Sequence, residues 1–305
     1  MLPPRQLLGD VRQFASVQRI VLDDGQERGV RALAFSTGGG LDFWVLSDRG
    51  FDIGPLWWRG MQLGWQSPAG FRSPALNERW DDKGRGMERG FSGMLVTCGL
   101  EHVRAPDGAS PLHGRLPFTP GRLLAYGEEW DAPEPHLFCK GEMVQYRIGG
   151  EGLRLTRRIT APLGGTELRV DDVVENIGPE PQPIAMLYHV NPGFPLVDEG
   201  TTVMLDGTCI VGPLQPSESS VGLVKWHDVH GPAAAVMVGA PACPAVLEIS
   251  WGADTLSCLQ TWRNIQQNIG VLGIEPCTTP PGAAMPVLAP GEKRRNRLAL
   301  RLTPA

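Results

Sequence analysis

The sequence predicts an all-β protein, a sandwich or barrel of antiparallel strands, and three observations carry that expectation. With 39 glycines and 28 prolines among 305 residues, breakers interrupt nearly every periodic run before it reaches helical length. The runs that survive are short and strand-like. No series of amphipathic helical segments alternates with them, which argues against a doubly wound α/β fold.

Taken in chain order, the expected strands are Gly29 to Ser36, Met143 to Ile148, Leu153 to Ile159, Glu167 to Val174, Ala234 to Val238, Val246 to Ser250 and Arg297 to Leu302. The last is the clearest, because Leu298, Leu300 and Leu302 alternate with Arg297 and Arg301, giving one dry and one wet face. The segments LRLTRRI and ELRVDDVV flank a Pro/Gly turn and read as antiparallel neighbours. There is no internal repeat and no low-complexity linker, so residues 1–305 are expected to form a single domain. Phe71 to Arg89, polar and mixed in charge, is expected to be a long surface loop.

Twenty-eight Lys and Arg stand against 33 Asp and Glu, and a formal net charge of −5 offers no general attraction for nucleic acid or anionic lipid. No apolar run reaches spanning length, and the opening MLPPRQLLGDVRQF lacks an unbroken secretory core, so a soluble, unexported, cytoplasmic protein is expected. The six cysteines show no ligand spacing and read as reduced, mostly packed thiols. A homodimer is among the assemblies the sequence allows.

Three positions look placed for chemistry. His113 lies in PLHGRLPFTP, in a turn where Arg115 adds a cation able to hold an anionic or hydroxyl-rich ligand. His189 ends the apolar run AMLYHV just before an Asn-Pro-Gly turn, where a strand can fix the ring and the turn leaves room for a substrate. Taken alone, the plainer reading of either histidine is that it completes a core with one satisfied hydrogen bond. Glu275 ends the apolar run VLGI; burial there would raise its pKa toward that of a general base, while a salt bridge at the strand end is the plainer reading. Metal binding by His102, His113, His189 and Glu275 would need ligands converging from distant strands, and no metal or other cofactor is expected. The triplet Gly38 to Gly40 lacks the context of a phosphate cradle, and Cys98 has no evident base beside it. Among the nine tryptophans, indole faces such as Trp262 can pack in the core or stack on sugar rings.

In order along the chain, LHGR at 112–115, YHVN at 188–191 and GIEP at 273–276 resemble the motifs of the aldose 1-epimerase (galactose mutarotase) superfamily. The stretches SDRGFDIGPLWWRGMQLGWQSP, RGFSGMLVTCGLEHV and LLYHVNPGFPLVDEG-like AMLYHVNPGFPLVDEG bring the chain nearer to an uncharacterised branch of that superfamily, over about Leu41 to Pro276. The resemblance implies a β-supersandwich with a sugar in a cleft, His189 as general acid, Glu275 as general base and His113 as a substrate-binding group. It also suggests substrate-binding parts for Arg89, and for Asp48 and Arg49 of SDRGFDI; Arg115, His227, Gln260 and Trp262 are further candidates for the cleft wall. RGFSG and YHVNPGF depart from the usual Asn-Arg-Ile and Asn-His-Ser/Thr-Tyr-Phe-Asn-Leu segments, so the pocket is not that of the galactose enzymes. The activity implied is cofactor-free interconversion of sugar anomers; alternatives are a carbohydrate-binding or sensing protein, and a sugar lyase or ketose/aldose isomerase using the same cleft.

Overall fold

The computed structural model describes residues 3, 5–215 and 219–305. It is nearly all β, with two large antiparallel sheets. The first runs Ser16–Val21, Arg31–Ser36, Leu41–Leu46, Asp52–Trp58, Leu95–Leu100, Ala185–Val190, Ile269–Cys277, Cys258–Gln266 and Ser220–Asp228 in spatial order, with the short Met61–Gln62 pairing off Asp52–Trp58. The second runs Thr208–Val211, Thr202–Leu205, Ala233–Gly239, Ala245–Gly252, Lys293–Pro304, Glu167–Asn176, Gly152–Pro162, His136–Tyr146 and Arg122–Glu129. From residue 176 onward the chain alternates between the sheets, so the central strands of both come from distant parts of the sequence.

All seven expected strands are present, several of them longer than their sequence patterns. Leu298, Leu300 and Leu302 are buried on Lys293–Pro304 while Arg297 and Arg301 face solvent, and Gly152–Pro162 pairs with Glu167–Asn176 across the Pro/Gly turn. The main apolar core draws on both sheets, joining Leu272 and Ile274 of the first to Leu155, Ile159, Leu298 and Leu300 of the second. Burying such side chains contributes roughly 1.5–3 kcal/mol each before the entropy of ordering the chain is subtracted.

The centre of the first sheet is covered on both faces. Ala185–Val190 is buried at every residue: Met186, Tyr188 and Val190 join the inter-sheet core, and Ala185 and Leu187 join a second apolar cluster on the outer face with Met87, Val103, Leu112 and Phe118. That outer cover comes from the long excursion between Trp58 and Arg122, interrupted by the short Met61–Gln62 and by Leu95–Leu100. Phe71 to Arg89 belongs to it. Part of this segment is exposed, but Gly84, Gly86 and Met87 are buried, and it forms a wall over the sheet rather than a free surface loop. Five of the six cysteines are buried and all are unbridged. Among the described residues no helix is long and apolar enough to cross a membrane.

Candidate active site

Period-two geometry sends alternate residues of a strand to opposite faces. On Ile269–Cys277 the even positions Leu272 and Ile274 enter the core, and the odd positions Val271, Gly273 and Glu275 turn outward. On the neighbouring strand Gln260 stands opposite Glu275 and Trp262 opposite Gly273. His189 comes from the next strand on the other side, one residue from core-facing Tyr188. These side chains floor a cleft of about 650 Å³ walled by the covering excursion through Arg85, Met87, Phe91, Arg104 and His113.

His189 and Glu275 face each other with 3.3 Å between Nε2 and Oε1. Each has one further partner. His189 Nδ1 lies 2.5 Å from Asn191 Oδ1, and because Asn191 Nδ2 donates to the Gly93 carbonyl, Oδ1 is the acceptor and Nδ1 carries the proton. Gln260 Nε2 donates to Glu275 Oε2 at 2.5 Å. Glu275 Oε1 is buried without a well-aligned hydrogen bond, an arrangement costly in a core and useful where a substrate proton must be received. Burial pushes Glu275 up to about 8 against the opposing Gln260 hydrogen bond, and pushes His189 down to about 4 against the Asn191 hydrogen bond. Near neutrality the resting pair is therefore a carboxylic acid beside a neutral imidazole.

Gly273 is where the strand must lack a side chain. A Cβ there would stand 2.6 Å from Glu275 Oε1 and 2.7 Å from His189 Cε1. Aromatic edges fix the imidazole from two more directions, with ring centres 4.9 Å away at Phe91 and 5.5 Å away at Trp262, both near perpendicular. His113 completes the group, its ring 5.8 Å from that of His189. The Arg104 backbone N–H donates to His113 Nδ1 at 3.2 Å, so the neutral ring carries its proton on Nε2; burial, then the neighbouring histidines and arginines, hold its pKa well below the usual range.

Of the residues singled out from the sequence, the structure thus brings together His113, His189, Gln260, Trp262 and Glu275. It does not bring the other five to the cleft. Asp48 is held by the Arg31 guanidinium and backbone N–H. Arg49 is wholly buried: Nη1 and Nη2 donate to the carbonyls of Arg72 and Gly90 at 2.7 and 2.5 Å, and its guanidinium lies 4.0 Å from the Phe118 ring centre. It braces the chain next to Phe91. Arg89 makes a two-pronged exposed pair with Asp82, and Arg115 pairs with Glu101. His227 turns to the opposite face of its strand from Trp226 and bonds Thr261 Oγ1 at 2.9 Å. His102 bonds the Ala105 carbonyl, and among the described residues no three His, Cys, Asp or Glu side chains converge as a metal site.

Sequence reasoning missed Asn191, Arg85, Phe91 and Arg104. Asn191 carried the best signal, two residues beyond His189 and so on the same side of an extended chain. Phe91 sits inside ERGFSG, where Arg89 is the residue with the evident chemistry. Nothing local marks Arg104.

The two-sheet scaffold is the galactose mutarotase-like fold. Solved structures share it: a candidate aldose 1-epimerase from Klebsiella pneumoniae at 21% identity and TM-score 0.84, covering 94% of this chain and 83% of that one; a galactose mutarotase-like protein from Clostridium acetobutylicum at 11% and 0.68, covering 96% and 100%; and a galactose 1-epimerase from Lactobacillus acidophilus at 12% and 0.61, covering 95% and 99%. More particularly, the chain belongs to the family described as Domain of unknown function (DUF4432), whose model matches residues 27–235. No curated protein matches the sequence.

Proposed function

We propose that the protein interconverts the anomers of a free sugar by acid–base catalysis with His189 and Glu275. The observation that carries this reading is a facing, buried carboxyl–imidazole pair, with one carboxyl oxygen lacking a hydrogen bond, at the floor of an aromatic-lined cleft roomy enough for a sugar. The fold shared with the galactose 1-epimerase supports it.

The pair holds one proton in its working state. At rest that proton sits on Glu275; passing it to His189 Nε2 gives carboxylate and imidazolium, and each outer partner favours that form. Gln260 donates to the carboxylate and Asn191 accepts from the imidazolium. Glu275 then takes the proton of the anomeric hydroxyl while His189 gives one to the ring oxygen, and the C1–O5 bond breaks to the open-chain aldehyde. Rotation about C1–C2 and the reverse transfers close the ring on the other face. No net proton is gained or lost, and no leaving group departs, so a second carboxylate is unnecessary. His113, donating from Nε2, is placed to hold a sugar oxygen.

The test is NMR exchange between anomers over a panel of neutral, acidic and deoxy sugars; no acceleration with any member removes the reading. Turnover should be bell-shaped in pH, falling below about 4 as a second proton enters and above about 8 as the last one leaves, both limbs belonging to the pair.

A further inference from the structure

Four charged side chains line the cleft: Arg85, Glu88, Arg104 and Glu275. Arg85 and Glu88 cancel, since Arg85 Nε and Nη2 bond the two Glu88 oxygens at 2.9 and 2.5 Å. Glu275 faces His189, and with one proton between them that pair adds no net charge. Arg104 is left over. Among the described residues no carboxylate pairs with it: Nη2 donates to the Thr279 carbonyl, Nε is buried without a partner, and the guanidinium lies flat-side to Trp226, 4.7 Å from the ring centre. Arg104 is also tied to the site itself, because its backbone N–H and carbonyl bond the ring and backbone N–H of His113 at 3.2 and 2.8 Å.

We infer that the cleft is built for a monosaccharide bearing one carboxylate, a uronic-acid type of sugar, with Arg104 as the group that reads the carboxylate. The inference rests on the sugar-binding reading above and narrows it. A guanidinium held by a carbonyl and stacked on an indole is pre-organised and partly desolvated; with Nη2 donating to Thr279 and Nε buried, Nη1 is the nitrogen left for a carboxylate. One unbalanced positive charge suits a monoanion. A phosphate ester, carrying nearly two negative charges, would face a single cation with Glu88 on the same wall.

The experiment compares D-glucuronate and D-galacturonate with D-glucose, D-galactose and glucose 6-phosphate, in anomer exchange and in equilibrium binding to the full chain. Expected is a kcat/KM for a uronate at least tenfold above those of the neutral hexose and the phosphate ester. Arg104→Gln should shrink that uronate-to-hexose ratio by about 10- to 100-fold, chiefly through KM. Arg104→Lys, which keeps the charge without the guanidinium, should retain part of it, and separates loss of recognition from loss of folding. A preference for neutral hexose or for the phosphate ester overturns the inference, as does an Arg104→Gln loss equal for both sugar classes. Should no sugar be turned over, the catalytic reading fails and binding still decides: tighter uronate binding that disappears in Arg104→Gln sustains the carboxylate site, and equal binding of acidic and neutral sugars sinks it.

Discussion

Tyr188 and His189 are consecutive residues of one central strand, and they open onto two buried polar clusters of opposite character. On the core side the Tyr188 hydroxyl donates to Asp172 Oδ2 at 2.7 Å, and Arg157 bonds both Asp172 oxygens at 2.8 and 2.7 Å and spends its third nitrogen on the carbonyls of Gly50 and Phe51. Although burial opposes its charge, Asp172 holds the Arg157 pKa above its ordinary value. Every nitrogen of that guanidinium is occupied. On the cleft side the His189–Glu275 pair is as deeply buried, yet Oε1 is left without a good partner and burial drives both groups toward neutrality. The bonds among Arg157, Asp172 and Tyr188 tie the two sheets together; the unbonded oxygen of the cleft pair keeps capacity for a substrate.

The difference can be broken from either side. Asp172→Ala removes both close carboxylate bonds of the buried Arg157 and leaves it only Asp52, 3.7 Å from Nη1; it should lower unfolding free energy by about 3 kcal/mol, read from urea denaturation. Glu275→Gln keeps the shape and the Gln260 contact while removing the titratable proton. It should cut turnover by about 10²-fold or more, with little change in urea midpoint. If Glu275→Gln unfolded the protein as Asp172→Ala does, the cleft pair would be a second structural brace and the contrast would collapse.

A smaller effect sharpens the geometry. Gly273→Ala puts a methyl group against both members of the cleft pair and none of the core network. Displacing Glu275 and His189 by a fraction of an ångström should lower turnover by about 10²-fold at most, at a stability cost of about 1–3 kcal/mol. Unchanged activity would mean that the pair tolerates a looser spacing than the close approach of Gly273 suggests.

How much of this could be read in the sequence follows the same physics. Strand order along the chain was legible where one face is wet, as in Lys293–Pro304, because alternation is a local signal. Ala185–Val190 gives no alternation, being covered on both sides, and its chemistry showed only through the motif YHVN. The charged residues of SDRGFDI, ERGFSG and LHGR looked equally suited to a sugar. Nothing in one dimension shows that Asp48, Arg49, Arg89 and Arg115 already have partners in Arg31, the Arg72 and Gly90 carbonyls, Asp82 and Glu101. Long-range pairing decided which cations remained for the cleft, and Arg104 remained.

The smallest expected effect concerns stability rather than rate. Glu275 has an ordinary pKa of 4.5 when unfolded and about 8 when folded, so between those values the folded state binds more protons and stability declines as pH rises. Asp52, buried near Arg157 and Arg49 and raised by that burial to about 7, contributes a slope of the same sign over part of the same window. Glu275→Gln removes one of the two contributions. Its melting temperature should therefore fall less than that of the wild type between pH 6 and 9, by a few degrees, with the remaining decline belonging chiefly to Asp52. His189 acts at the other end: its folded pKa of about 4 makes stability fall as pH drops from 6.5, and that limb should be present in Glu275→Gln as well. Parallel wild-type and Glu275→Gln curves on the alkaline side would show that Glu275 ionises in the folded protein as easily as in the unfolded chain, and the cleft pair would then have no stored protonation bias to spend on a sugar.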